Sequence, residues 1–354
     1  MSFDDYLLPS GPVALTIREY LEPVQGKNSV LFPPTFAPPE GSKDKPSYVI
    51  DDTTQGRVGL VDSVGSQANR SEPLFKKDPY SGLVPKVTVR VGERSISLLD
   101  AGHRAADALV RFSDQAGPLR AAFIAIRDRG DSSALAKIAP TSLVFGVWDS
   151  RDTRVKLPRI VGSVIRAYGI DPLTRSAQFT GALEKEETEK LGVDQDFLSN
   201  QGLSDSPAGR GPGGVIARGG VIREATLNLI VLRSLAGTTA EETQRLQRYI
   251  LGLALVAFFA PAELFLREGC LLTVSGDQKT EVQAVFRDGR RKPVAVDLNE
   301  SLQFAQMSAS AFGVGPNLEA VFSGEQVKAE SDKRKAESDK KKKAESDKKG
   351  RGTK

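Results

Sequence analysis

Three short stretches of this 354-residue chain hold the polar side chains whose type and spacing suit a chemical task. The first is Val61-Asp-Ser-Val-Gly-Ser-Gln-Ala-Asn-Arg70. Read as a helix, it sets Val61, Val64 and Ala68 on one stripe and Ser63, Ser66, Gln67 and Arg70 on the next. The polar stripe offers donors for phosphate and ribose oxygens and holds no carboxylate to repel them, although the same spacing describes an ordinary solvated face. The second is Asp100-Ala-Gly-His-Arg104, where a strand end meets a helix start. Free backbone N–H groups there could receive an anion beside His103 and Arg104, or the turn is simply closed by Asp100. The third runs from Trp148 to Arg159, with Arg166 beyond. It sets Arg151, Arg154, Lys156 and Arg159 after a ring able to stack on a base; its alternatives are a core tryptophan and arginines paired with Asp149 and Asp152.

Covalent and metal chemistry find little support in the residue types. A single cysteine, Cys270, and a single histidine, His103, disfavour a disulfide framework and a Cys/His zinc site. His103 has no nucleophile or carboxylate partner near it in sequence. Gly209, Gly211 and Gly214 satisfy the GxGxxG spacing, but the preceding SNQGLSDSPA is no hydrophobic strand, so the dinucleotide fingerprint fails. No Walker A, HExxH or GxSxG sequence occurs. The expectation is a chain without catalytic residues, metal or cofactor.

The elements that must position these stretches follow from periodicity. Strands are expected at Val13–Leu21, Lys86–Val91, Ile96–Leu99, Thr141–Trp148, Val221–Leu232, Cys270–Val274 and Glu281–Phe286, and Leu157–Tyr168 reads as helix or strand. Helices are expected over about 59–72 and 101–112. The strongest opens on the capping box of Thr239 and Glu242 and runs towards Pro261. Residues of about 22–58 form a Pro-rich loop, and those of about 181–220 a polar, Gly-rich insertion with a mobile loop. Strands and helices mixed without a βαβ repeat predict an α+β sheet with helices on one face.

Charge narrows the partners. The chain carries +4, but residues 328–354, with KAESDK three times, hold ten lysines and two arginines against six acids, a charge of +6 that leaves −2 for the rest. That tail has no apolar residue larger than alanine and is expected to be disordered or a lone helix outside a single folded unit over 1–320. A nucleic-acid role must therefore rest on where cations cluster within the folded part. One cysteine, an acidic N-terminal segment and an apolar run of fewer than about 20 residues point to the cytoplasm and away from a membrane.

The segments SVGSQANR, AGHRAADALVRFSD, SLVFGVWDSRDTRVKLPRIVGSVIRA and GGVIARGG, in this order, resemble the backbone subunit of the type I-G (formerly I-U) CRISPR Cascade effector, in the RAMP superfamily. The resemblance spans about 10–315. It implies a modified RRM-like (ferredoxin-like) palm with inserted finger and thumb elements, oligomerising along a CRISPR RNA whose bases pair with target DNA. The implied partners are the CRISPR RNA, target DNA through the guide, further copies of the chain, other Cascade subunits and a recruited helicase-nuclease. The RNA-contact candidates are Ser66, Gln67, Asn69, Arg70, His103, Arg104, Arg151, Arg154, Lys156, Arg159 and Arg218. The aromatic RNP1 signature is absent, so stacking on the central sheet is not implied. Two other readings remain: a metal-independent RAMP endoribonuclease processing CRISPR transcripts with His103 as base, and an assembly protein without RNA contact.

Overall fold

Leu15, Ile17 and Leu21 alternate with Thr16, Arg18 and Tyr20, the period-2 pattern of a strand with one face covered, and the computed structural model forms strand β1 there (Ala14–Pro23). It describes residues 2–295 and 297–351. Helix α1 (Val64–Ser71), β2 (Val161–Tyr168), β3 (Val221–Asn228), helix α2 (Ala240–Phe259) and β4 (Glu281–Val285) follow. β1 lies between β4 and β3, and β2 lies outside β3, every pair antiparallel. The spatial order 4-1-3-2 with a helix inside each split β-α-β unit is the ferredoxin-like arrangement, so the fold is α+β and RRM-like.

Register fixes which face is covered. Ala284, Leu15, Leu227 and Val161 stand opposite one another across all four strands, and all are buried. Over this row lies α2, whose residues from Tyr249 to Val256 are wholly buried. Thr239 caps the helix by accepting the Glu242 N–H at 3.1 Å, while the Glu242 carboxylate turns to the Thr238 N–H at 2.9 Å. Helix α3 (Leu298–Phe312) crosses α2 so closely that a Cβ at Gly252 would fall 2.7 Å from Ala305 Cα.

Further strands extend the sheet. Gly56–Asp62 and Ile50–Thr53 add outside β2, Cys270–Val274 pairs with the end of β1, and Arg291–Pro293 pairs with β4. Ile170–Phe179 and Ser206–Ala217 form a long antiparallel arm, with short helices Lys185–Lys190 and Gln195–Asn200 between its strands.

Several expected elements differ. The helix expected from residue 59 starts at Val64: Gly56–Asp62 pairs with β2 as a strand, and Ser63 marks the change by accepting the Ser66 N–H. In place of a helix over 101–112 there are a 3₁₀ turn, Arg104–Ala106, and one helical turn, Ala108–Arg111, because the Asp107 carboxylate accepts the Leu109 N–H and restarts the chain. Thr141–Phe145 is helical, and only Val147–Trp148 of that run is strand. Beyond Asn228 the expected strand becomes the helix Leu229–Arg233, whose first N–H groups the Asn228 side chain accepts. The Gly-rich segment expected as a mobile loop is largely the strand Ser206–Ala217. Gly324–Arg351 is helical; residues 352–354 of the tail lie outside the described residues. No helix among the described residues is long and apolar enough to cross a membrane.

Candidate nucleic-acid interface

The three polar stretches meet around one buried guanidinium. Arg104 sits at φ +52°, a left-handed conformation, within a turn that leaves the residue only 5% exposed. Its Nε lies 2.7 Å from Glu72 Oε2, its Nη2 donates to Asn69 Oδ1 at 3.1 Å, and its Nη1 donates to the Gly146 carbonyl at 3.4 Å. One side chain thus ties the end of α1, the turn after it and the root of the hairpin that pairs Val147–Trp148 with Lys156–Leu157. The pair is not fully satisfied: Glu72 Oε1 and Arg104 Nε are buried without a hydrogen bond. Burial pushes the Glu72 carboxyl up to about 7, against the opposing pull of Arg104. Burial likewise lowers Arg104; Glu72 opposes that, and the charge of Arg159 adds to it.

The hairpin owes its shape to Asp149. This buried carboxylate accepts the Thr153 N–H at 2.9 Å and hydroxyl at 2.7 Å, and Arg154 closes the turn at φ +64° by donating its N–H to the Asp149 carbonyl. Asp152 pairs instead with Arg120 at 2.8 Å. The two acids next to the arginines are therefore spent elsewhere, and among the described residues Arg151, Arg154, Lys156 and Arg159 form no ion pair while all four are exposed. Trp148 is no core residue: it is 59% exposed, with Lys156 Nζ 5.3 Å from its ring. Asn69, which accepts from Arg104, and His103, the residue before it, are both exposed. The result is a cationic surface with one open ring and no competing carboxylate at the arginines, which suits phosphates and a stacked base.

Other candidates are placed differently. Gln67 is 4% exposed, donates to Asp62 Oδ2 at 2.7 Å and accepts from Ser163 at 3.0 Å. Arg70 is held by Asp62 at 3.2 Å and by the Leu266 carbonyl at 2.5 Å. Asp62 also takes Arg267 at 3.1 Å. Asp62 thus joins α1, β2 and the strand Phe265–Arg267 through Gln67, Arg70 and Arg267: the helix itself has no carboxylate, but the strand before it supplies one. Ser66 is half-buried, its N–H taken by Ser63. Arg104, also expected as a contact, is buried and engaged by Glu72, Asn69 and the Gly146 carbonyl. Arg218, exposed and paired with Asp171 at 2.5 Å, stands at the far end of β2 beside Gly169 and not with the others. Sequence reading passed over Asp62 and Glu72; an acid at the end of a polar helix, or just before it, next to arginines was the available signal.

The uncovered face of the palm sheet forms a groove of about 820 Å³ lined by Thr16, Arg18, Val164, Glu224, Glu281 and Arg291. Its charges are of both signs, and Arg166 and Glu224 face each other at 3.7 Å. Among the described residues no three His, Cys, Asp or Glu side chains gather as metal ligands would.

Residues 15–172 match the model of a family described as CRISPR-associated protein GSU0053. The matched stretch contains α1, the Arg104 turn and the whole Trp148–Arg159 hairpin. One chain of a solved structure titled "CRISPR RNA-guided surveillance complex, pre-nicking" is similar over 84% of this chain and 88% of its own, at 10% identity and a TM-score of 0.35. No curated protein matches the sequence.

Proposed function

We propose that this chain is a non-catalytic RNA-binding backbone subunit of a type I-G Cascade effector, which oligomerises along the guide and supports target DNA recognition by base pairing. One observation carries the reading: Arg104 gathers three polar stretches, all inside the matched family region, beside a hairpin whose cations Arg151, Arg154, Lys156 and Arg159 have no acidic partner among the described residues. Such a surface holds phosphates without reading sequence, as a guide-binding scaffold requires. Asn69, His103, Arg151, Arg154, Lys156 and Arg159 make the contacts and Trp148 stacks on a base. Arg104 and Glu72 position them. Copies stack head to tail, an open heterologous interface whose length the RNA sets, with other Cascade subunits at the ends and a recruited helicase-nuclease supplying the chemistry in the cytoplasm.

Incubation of the purified chain with labelled repeat RNA tests this. Stable retention of intact RNA is expected; cleavage would favour an endoribonuclease acting through His103, and neither retention nor cleavage an assembly protein without RNA contact.

A further inference from the structure

The turn after β4 reads Phe286-Arg-Asp-Gly-Arg-Arg-Lys292. It is closed by the Phe286 N–H on the Arg290 carbonyl at 2.9 Å and the Gly289 N–H on the Phe286 carbonyl at 3.0 Å, with Gly289 at φ +85°. Arg287, Arg290, Arg291 and Lys292 are exposed, and among the described residues Asp288 pairs with Arg290 alone, at 2.5 Å. The charges of Arg290 and Lys292 lie 5.1 and 5.6 Å from the Phe286 ring. Positive charge is in surplus here. Arg233, whose Nη1 is committed to the carbonyls of Tyr6 and Pro12, is held below its usual pKa by burial and then by Arg287.

Strand register says where this turn stands relative to the first cationic hairpin. The Val13 N–H donates to the Val285 carbonyl at 2.7 Å, the Leu229 N–H to the Val13 carbonyl at 3.0 Å, and the Asn228 N–H to the Ile160 carbonyl at 2.7 Å. Val285 and Ile160 therefore share one end of the sheet, separated by three strand spacings, about 14 Å. The Phe286 turn leaves from Val285 and the Trp148 hairpin joins at Ile160. Between them Ile230 is 51% exposed at the start of the helix Leu229–Arg233. The two hairpins have the same composition, several cations around one ring. On each, an exposed arginine (Arg287 or Arg159) adds to the burial that lowers the pKa of an arginine already committed inside the fold, so positive charge is concentrated at both hairpins.

We infer that the two hairpins are the two ends of one track for single-stranded RNA crossing this end of the palm sheet, with phosphates held by Arg287, Arg290 and Lys292 on one side and by Arg151, Arg154, Lys156 and Arg159 on the other. The inference rests on the RNA-binding reading and adds to it the second contact surface and the path between the two. The span of about 14 Å is covered by a few nucleotides, with Trp148 open to a base at one end and Phe286, half-buried against the core, backing the cations at the other.

Fluorescence anisotropy of a labelled oligouridylate across a salt series tests the track. The triple variant Arg287→Ala, Arg290→Ala, Lys292→Ala is expected to lower the slope of log K against log salt by about 2, at about 0.7 per phosphate released from a single strand. An Arg151→Ala, Arg154→Ala, Lys156→Ala, Arg159→Ala variant is expected to lower it by a similar or larger amount. Arg287→Lys with Arg290→Lys is expected to retain it. An unaltered slope in the triple variant, with loss in the other, overturns the two-ended track and leaves the RNA reading standing. Loss in the triple variant alone overturns both the track and the assignment of the Trp148 surface. Failure of the unaltered chain to bind overturns the RNA reading and the track with it. Coincident thermal unfolding curves for all variants confirm that contacts and not folding are being read.

Discussion

Arg104→Met separates the two roles that this residue could play. A phosphate contact would lose RNA affinity and leave stability unchanged. The structure predicts the opposite order of effects, because the substitution strands the Glu72 carboxylate, 2% exposed as a side chain, in a site its guanidinium partner had occupied. Breaking a buried pair by removing one member costs about 3–5 kcal/mol, whereas Glu72→Leu with Arg104→Met together should recover most of that loss. The penalty depends on pH with a defined sign. The folded-state pKa of Glu72 is raised from 4.5 to about 7, so its contribution to stability is full below 4.5 and is lost as pH rises through 7. That displacement is worth about 3 kcal/mol, and removing Arg104 raises the pKa further. Urea denaturation should therefore show Arg104→Met losing more stability at about pH 8 than at about pH 5. The double variant should regain stability yet bind RNA less well, since Asn69 and Gly146 have lost the group that holds them together. A variant with unchanged midpoint at both pH values, or a penalty larger in acid, would refute the positioning role.

Other expectations follow from the same geometry. Gly252→Val should lower stability by several kcal/mol in denaturant titrations, because its Cβ already collides with the Ala305 backbone, whereas Gly276→Ala, with open space around it, should change stability by less than about 1 kcal/mol. Arg151→Ala should weaken RNA retention in filter binding nearly independently of guide sequence, with an unchanged melting temperature; selective loss on particular guides would contradict a backbone contact. Arg70→Ala should instead lower the melting temperature, because it releases one of the two arginines on buried Asp62. Deleting residues 328–354 should leave guide binding intact and reduce non-specific DNA binding at low salt only; loss of guide binding at every salt concentration would show specific docking by the tail.

What could be read in advance divides along physical lines. β1, β4 and α2 announce themselves, since each has one face buried by near neighbours or a side chain that caps its own backbone. The Trp148 cluster was equally visible, and the folded chain resolves its ambiguity by sending Asp152 to Arg120 and Asp149 to its own turn. The strand Ser206–Ala217 was hidden because glycines carry no alternating side chains. The helix Ala116–Arg129 was not expected; it carries Gly117 and Pro118 in its first turn, where proline is tolerated. Asp62 and Glu72 escaped for a different reason. Their partners include Arg267 and Arg104, far along the chain, and only the folded sheet brings them together, turning Gln67, Arg70 and Arg104 from surface groups into bolts.

The central claim is that this chain holds RNA and does not cut it, in copies set by the length of that RNA. Native mass spectrometry of the chain co-expressed with a CRISPR array, using spacers of two lengths, tests it most directly. Particles that contain one intact RNA of discrete length and several copies of the chain, with more copies on the longer guide, are expected. Particles free of RNA, RNA shortened on incubation with the chain, or a copy number indifferent to guide length would contradict it.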